Sequence, residues 1–154
     1  MFRRCLPSLW VHSMSRVWKT PSNGYDISEL PNEDILAEFL AFYKEKLVVT
    51  VVHNGLNPTA PHVVEREFDP LMAHFIRSLN HHNFGNPAEV KFALVPLQSA
   101  KKFVETHKVL AAPTCMLMHN NAAVQRTVGI RHGELQVKCL FFLRNNDKNI
   151  FSVM

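Results

Sequence analysis

Apolar residues along this chain follow two different spacings, and together they predict an α/β protein. Leu47–His53 and Val90–Val95 are short, unbroken apolar runs rich in β-branched residues, which is typical of strands buried on both faces of a sheet. Three other segments repeat apolar residues every three or four positions. This spacing indicates amphipathic helices over about 33–45, 62–79 and 132–143.

The rest of the chain supplies the remaining elements. Asn32 precedes the first helix as an N-cap, and residues 98–107 suit a short helix. Thr114–His119 and Ala123–Val128 predict a strand hairpin, because the two asparagines between them tolerate the positive φ of a tight turn. The expected order is therefore α, β, α, β, α, β, β, α.

Charge is unevenly distributed along the sequence. The chain has 154 residues, with 17 Lys and Arg against 13 Asp and Glu. Arg3, Arg4, Arg16 and Lys19 all fall within residues 1–20, a segment without an acidic residue. The rest of the chain is formally neutral and lacks the electrostatic footprint of an autonomous nucleic-acid-binding domain.

Residues 1–20 have the composition of a mitochondrial presequence, since they combine arginine and serine with bulky apolar residues. The alternative is a basic arm that stays on the mature protein and contacts rRNA or a protein partner through its four cations. We predict a linker over 21–31, one domain over 32–144 and a C-terminal tail over 145–154. No apolar run is long enough to span a bilayer, and the expected location is the mitochondrial matrix.

The C-terminal half carries a recognisable succession of features. From Val90 onward there is a strand, a helix, a Val-x-x-x-Pro-Thr segment ending in Pro113 and Thr114, a strand hairpin, Gly129 and an amphipathic helix. This succession resembles the C-terminal half of thioredoxin, and Pro70 stands where that family kinks its second helix. The resemblance implies a three-layer α/β/α sandwich with a mixed central sheet.

The resemblance also implies two site features. Ala112, Pro113 and Thr114 would form the family's cis-proline groove, which accepts an extended chain. The family's two redox cysteines would fall at His62 and Glu65, where the sequence reads His-Val-Val-Glu. Thiol–disulfide exchange needs two thiols, so these degenerate redox positions exclude thioredoxin-type chemistry there. An acid–base pair of the same two side chains is conceivable, but no third group supports it.

Other candidates for chemistry are few. Cys115 is open to two interpretations, a lone reactive thiol or a buried small apolar residue, and the second is the commoner role of a free cysteine. Cys139 lies on the apolar side of its helix. His74, His81 and His82 lack the spacing of a zinc site, so we expect no metal. No phosphate-binding loop or other cofactor motif is present.

These expectations converge on a non-catalytic subunit or assembly factor of a large mitochondrial complex, as redox-inactive members of the thioredoxin family commonly are. Its partners would be other protein subunits. The mitochondrial ribosome is the first candidate, because a basic arm suits insertion between rRNA phosphates. Two alternatives stay open: a subunit of a respiratory-chain complex, or a glutathione- or peroxide-linked redox protein that uses Cys115 alone.

Overall fold

A computed structural model describes residues 16–54 and 70–153. Short turns of 3-10 helix at Leu79–His81 and Leu97–Ser99 accompany the regular elements. The strands are β1 (Arg16–Lys19), β2 (Asp26–Glu29), β3 (Leu47–His53), β4 (Val90–Pro96), β5 (Thr114–His119) and β6 (Ala122–Val128), and the helices are α1 (Glu33–Phe42), α2 (Pro70–Ser78), α3 (Lys101–His107) and α4 (His132–Val153).

The six strands form one mixed sheet in the order β1-β2-β4-β3-β5-β6. Strands β2, β4 and β3 run parallel, whereas β1, β5 and β6 each pair antiparallel with their neighbours. Every residue of β3 is buried, as its unbroken apolar run predicts for a strand covered on both faces. The expected mixed central sheet is confirmed.

Two apolar cores cover the two faces of the sheet, because successive side chains of each strand point to opposite sides. On one face, residues of α2 and α4 pack with Val49 and Val51. On the other, residues of α1 and α3 pack with Val48 and Val52. The expected three-layer α/β/α sandwich is therefore confirmed.

Local signals in the sequence are matched closely. The Asn32 side chain accepts a hydrogen bond from the Ile35 amide at 3.0 Å and caps α1. Asn120 and Asn121 adopt φ values of 52° and 62° in the turn between β5 and β6. The Ala112–Pro113 peptide bond is cis, as expected.

The predicted start of the domain at residue 32 was wrong, because two strands precede it. The linker over 21–31 contains strand β2, and the arm over 1–20 ends in strand β1. Ile27 is buried against the sheet and Trp18 packs on the same core. These four-residue strands carry no periodic signal of their own, and their pairing with each other and with the distant β4 stabilises them. Residues 1–15 lie outside the described residues.

The predicted C-terminal tail over 145–154 was also wrong, because α4 continues to Val153. No glycine or proline stands between Leu143 and that residue, so nothing in the local sequence stops the helix. Of the helix predicted over 62–79, the structure describes Pro70–Ser78; residues 62–69, and with them the predicted kink, lie outside the described residues. Among the described helices, none combines the length and apolar character needed to cross a membrane.

Candidate functional site

The cis-proline loop connects α3 to β5 and is held firmly at both ends. The Thr114 hydroxyl donates to the Ala111 carbonyl at 2.6 Å, and the Gly129 amide donates to the Pro113 carbonyl at 2.8 Å. Gly129 has φ +80°, a conformation that glycine adopts without strain. The structure therefore brings the sequence-predicted groove residues together on a braced loop.

An exposed apolar side chain stands beside this loop. Leu110 is 96% exposed, although leucine is among the residues most often buried. It lines a cavity of about 330 Å³ together with Leu97, Val104 and Val109. The loop thus offers a rigid apolar projection next to a concave surface.

The predicted redox positions follow strand β3 in the chain, and β3 pairs with the strand that the cis-proline loop enters. His62 and Glu65 lie outside the described residues. Strand β3, which precedes them, pairs Val52 with Thr114. The C-terminal end of β3 therefore lies at the end of the sheet where the cis-proline loop enters β5.

The two described cysteines are both withdrawn from solvent. Cys115 and Cys139 are each 0% exposed and carry free thiols. Burial raises the pKa of each thiol to about 12, and their mutual proximity contributes to the shift at Cys139. Because the thiolate is the reactive form, this shift disfavours a nucleophilic role for either side chain near neutral pH.

A histidine cluster on the α2–α4 side was missed at the sequence level. The His132 ring stacks between Phe75 and His82, with ring centroids 5.4 and 4.9 Å away, and meets His74 edge-on at 5.6 Å. Its Nε2 lies 2.7 Å from the Ser78 hydroxyl. Burial lowers the pKa of His132 to about 4, with further contributions from His82 and His74.

This histidine cluster is suited to packing rather than to metal binding. His82 Nδ1 donates to the Ser78 carbonyl at 2.7 Å, which occupies one ring nitrogen. No set of three or more metal-ligating side chains with the geometry to hold an ion occurs in residues 16–54 and 70–153. The sequence held no local signal for the cluster, because His82 follows the 3-10 turn after α2 and His132 belongs to α4.

Of the four cations predicted to contact RNA or a partner, two belong to the described residues. Arg16 and Lys19 belong to strand β1 at the edge of the sheet. The Arg16 guanidinium lies 5.0 Å from the centre of the Trp18 ring, and Lys19 Nζ is 3.6 Å from an Asp26 carboxylate oxygen. The other two, at positions 3 and 4, lie outside the described residues.

Solved structures similar to this chain include several thioredoxins. That of Schistosoma mansoni is 20% identical, with a TM-score of 0.54 over 74% of this chain and 93% of its own. The thioredoxin of Fasciola hepatica is 19% identical, with a TM-score of 0.54 over 73% of this chain and 95% of its own. The thioredoxin of Trypanosoma brucei brucei is 16% identical, with a TM-score of 0.51 over 82% of this chain and 97% of its own. No family model matches the sequence, and no curated protein matches it either. The similarity establishes a thioredoxin-like fold.

Proposed function

We propose that this chain, with its thioredoxin-like fold, is a non-catalytic subunit or assembly factor of a large mitochondrial complex, first among them the mitochondrial ribosome. The observation that carries the proposal is a fold without usable thiols. No cysteine stands between Cys5 and Cys115, and both described thiols are buried. A domain that has this fold but lacks its catalytic thiols can function by binding other molecules.

The cis-proline loop is the surface that best supports binding. Leu110 projects into solvent from a loop braced by hydrogen bonds, so docking a partner there requires little ordering of the chain. The edge strand β6 is less available for pairing with a partner. The Arg126 side chain donates to the carbonyls of His107 and Lys108, and Lys138 donates to the Arg126 carbonyl, which together cover part of β6 in the way that edge strands are commonly protected.

The mitochondrial part of the proposal rests on the N-terminal sequence. Residues 1–20 are basic, free of acidic residues and rich in apolar side chains, as import sequences are. Retention of the segment as an arm would suit a ribosomal environment, because cations close to phosphates release counterions on binding. The same features are compatible with a respiratory-chain complex, so the partner must be identified directly.

The test is co-sedimentation of the tagged full-length chain with complexes from lysed mitochondria, with and without a reducing agent. We expect the chain in a ribosomal fraction in both conditions. Leu110→Asp should release it, whereas Val137→Asp should not, because Val137 is an exposed apolar residue of α4, a helix that does not line the cavity beside Leu110. Exclusion from mitochondria, or migration as a free monomer, would contradict the proposal.

The single-cysteine alternative has its own test. A purified protein that reduced peroxide or a glutathione mixed disulfide, and lost that activity in Cys115→Ser, would overturn the non-catalytic assignment. We expect no such activity, because a thiol with a pKa of about 12 is protonated at neutral pH.

A further inference from the structure

A cavity of about 410 Å³ lies between helices α1 and α3, on the face of the sheet opposite α2 and α4. Its volume lies within the range for small-ligand pockets. Apolar side chains of both helices and of strand β5 line it, among them Leu36, Leu40, Phe103 and Met118. The cavity shares no lining residue with the one beside Leu110, so it is a separate site.

The floor of this α1–α3 cavity is part of the folded core. Leu36 and Met118 are 1% and 2% exposed. The Phe103 ring lies 4.4 Å from the His107 ring, and the Phe103 amide donates to a Glu33 carboxylate oxygen at 2.9 Å. This hydrogen bond ties the start of α3 to the start of α1, so the two walls of the cavity are held together.

Two charged side chains of opposite sign belong to the two walls. Asp34 lies in the first turn of α1 and Lys102 in the first turn of α3, and both are exposed and line the cavity. In the described part of the chain, neither belongs to an ion pair. The cavity therefore presents one carboxylate and one ammonium group from different helices above an apolar floor.

Two other titratable side chains line the cavity, and neither adds an uncommitted charge. Glu33 already accepts the hydrogen bond from the start of α3. Burial lowers the pKa of His107, and the nearby Arg126 guanidinium adds to the effect, so this ring is neutral at pH 7. The carboxylate of Asp34 and the ammonium group of Lys102 are therefore the charges that select a ligand.

We propose that the α1–α3 cavity binds a small zwitterion with an apolar side chain, which is the chemistry of free leucine or phenylalanine. The ammonium group of the ligand lies at Asp34, its carboxylate at Lys102, and its side chain on the apolar floor. A purely anionic ligand would bring negative charge close to Asp34, and a purely cationic one would bring positive charge close to Lys102. A few polar groups around an apolar lining are the usual composition of a small-ligand site. The inference goes beyond the proposed function and does not depend on it.

The experiment titrates L-phenylalanine into the isotope-labelled full-length chain at neutral pH and follows the backbone amide chemical shifts by NMR. A ligand of this size is expected to bind with a dissociation constant on the order of 1 mM. The amides of Ala37 and Phe103 should shift, because both residues line the cavity. The amide of Leu110, which lines the other cavity, should not shift.

Ligand analogues and matched variants separate charge recognition from apolar contact. Phenylpropionate and phenethylamine keep the ring but each lacks one charge, so each should bind about three- to fivefold more weakly. Lys102→Met and Asp34→Asn should weaken the binding of L-phenylalanine by a similar factor, about three- to fivefold. Lys101→Met and Glu38→Gln are the controls and should leave the affinity unchanged, because both residues are exposed on the same two helices but do not line this cavity.

Four results would each overturn the inference: no binding of L-phenylalanine up to about 20 mM, equal affinity for the analogues that lack one charge, equal losses in a variant and its control, or shifts confined to residues outside this cavity. None of them bears on the proposed function, which is tested by co-sedimentation and by Leu110→Asp. A chain that never enters a mitochondrial complex would in turn refute the proposed function alone.

Discussion

Acidification should destabilise this fold through His132. The pKa of this side chain is lowered from 6.5 to about 4, first by burial and then by the neighbouring His82 and His74. Its ring is enclosed by Phe75 and His82 and contacts Ser78. Between those two pH values the unfolded chain binds a proton at this histidine that the folded chain does not bind, so stability falls as the pH is lowered through the window.

The size of the effect follows from the same pKa values. A pKa difference converts to free energy at about 1.36 kcal/mol per pH unit, so the lowering of the pKa from 6.5 to about 4 sets an upper bound of about 3 kcal/mol. Because His132 is only half-buried, solvent screens part of this energy. We expect a loss of about 1 to 2 kcal/mol between pH 7 and pH 4.

The assay is urea unfolding followed by circular dichroism at pH 7, 6, 5 and 4, on the wild type and on His132→Gln. Glutamine preserves a donor toward Ser78 but does not titrate. The control is His81→Gln, since the His81 side chain is exposed. Titrating carboxylates affect all three proteins alike, so the informative quantity is the difference between them. Equal pH dependence in the wild type and His132→Gln would refute the reasoning.

Three further predictions concern packing and the thiols. Gly85→Ala should cost about 1 to 3 kcal/mol in urea unfolding, chiefly because φ +116° is a backbone conformation that residues with a side chain rarely adopt and secondly because the Leu143 side chain would have to move, whereas Gly133→Ala, with open space around it, should not destabilise. Tyr25→Phe should cost about 2 kcal/mol in the same assay, because the hydroxyl donates to the Gly85 carbonyl at 2.7 Å and accepts from a backbone amide at 2.9 Å; an unchanged midpoint would contradict this. In Cys5→Ser protein, a thiol reagent at pH 8 should label the two remaining cysteines only after denaturation, and rapid labelling of the native protein would show that they are accessible.

The N-terminal strands show where sequence reasoning stops at the level of the fold. Strand β3 and the β5–β6 hairpin were predicted nearly residue for residue, because an unbroken apolar run and an Asn-Asn turn are local signals. Where strands β1 and β2 lie, the sequence predicts an arm and a linker. Strands of four residues are not recognisable from their own sequence, and pairing with each other and with the distant β4 stabilises them.

Some features of the candidate sites were predictable from the sequence, and others required the tertiary structure. The cis peptide at Pro113 and the lack of paired thiols follow from the sequence and the family resemblance. The burial of Cys115 is visible only in the tertiary structure, because the same residue in a strand can face solvent or core. That Arg77 and Trp18 line one cavity likewise depends on how α2 packs against the sheet.

The sequence by itself determined the order of most elements, the turn conformations and the absence of a redox motif, since each depends on residues that are neighbours along the chain. Only the tertiary structure decided how many strands the sheet contains, the environment of His132 and the burial of Cys115 and Cys139. These features join residues more than 50 positions apart, such as Ser78 and His132. Burial, pKa and local charge depend on such distant neighbours, which a local pattern does not encode.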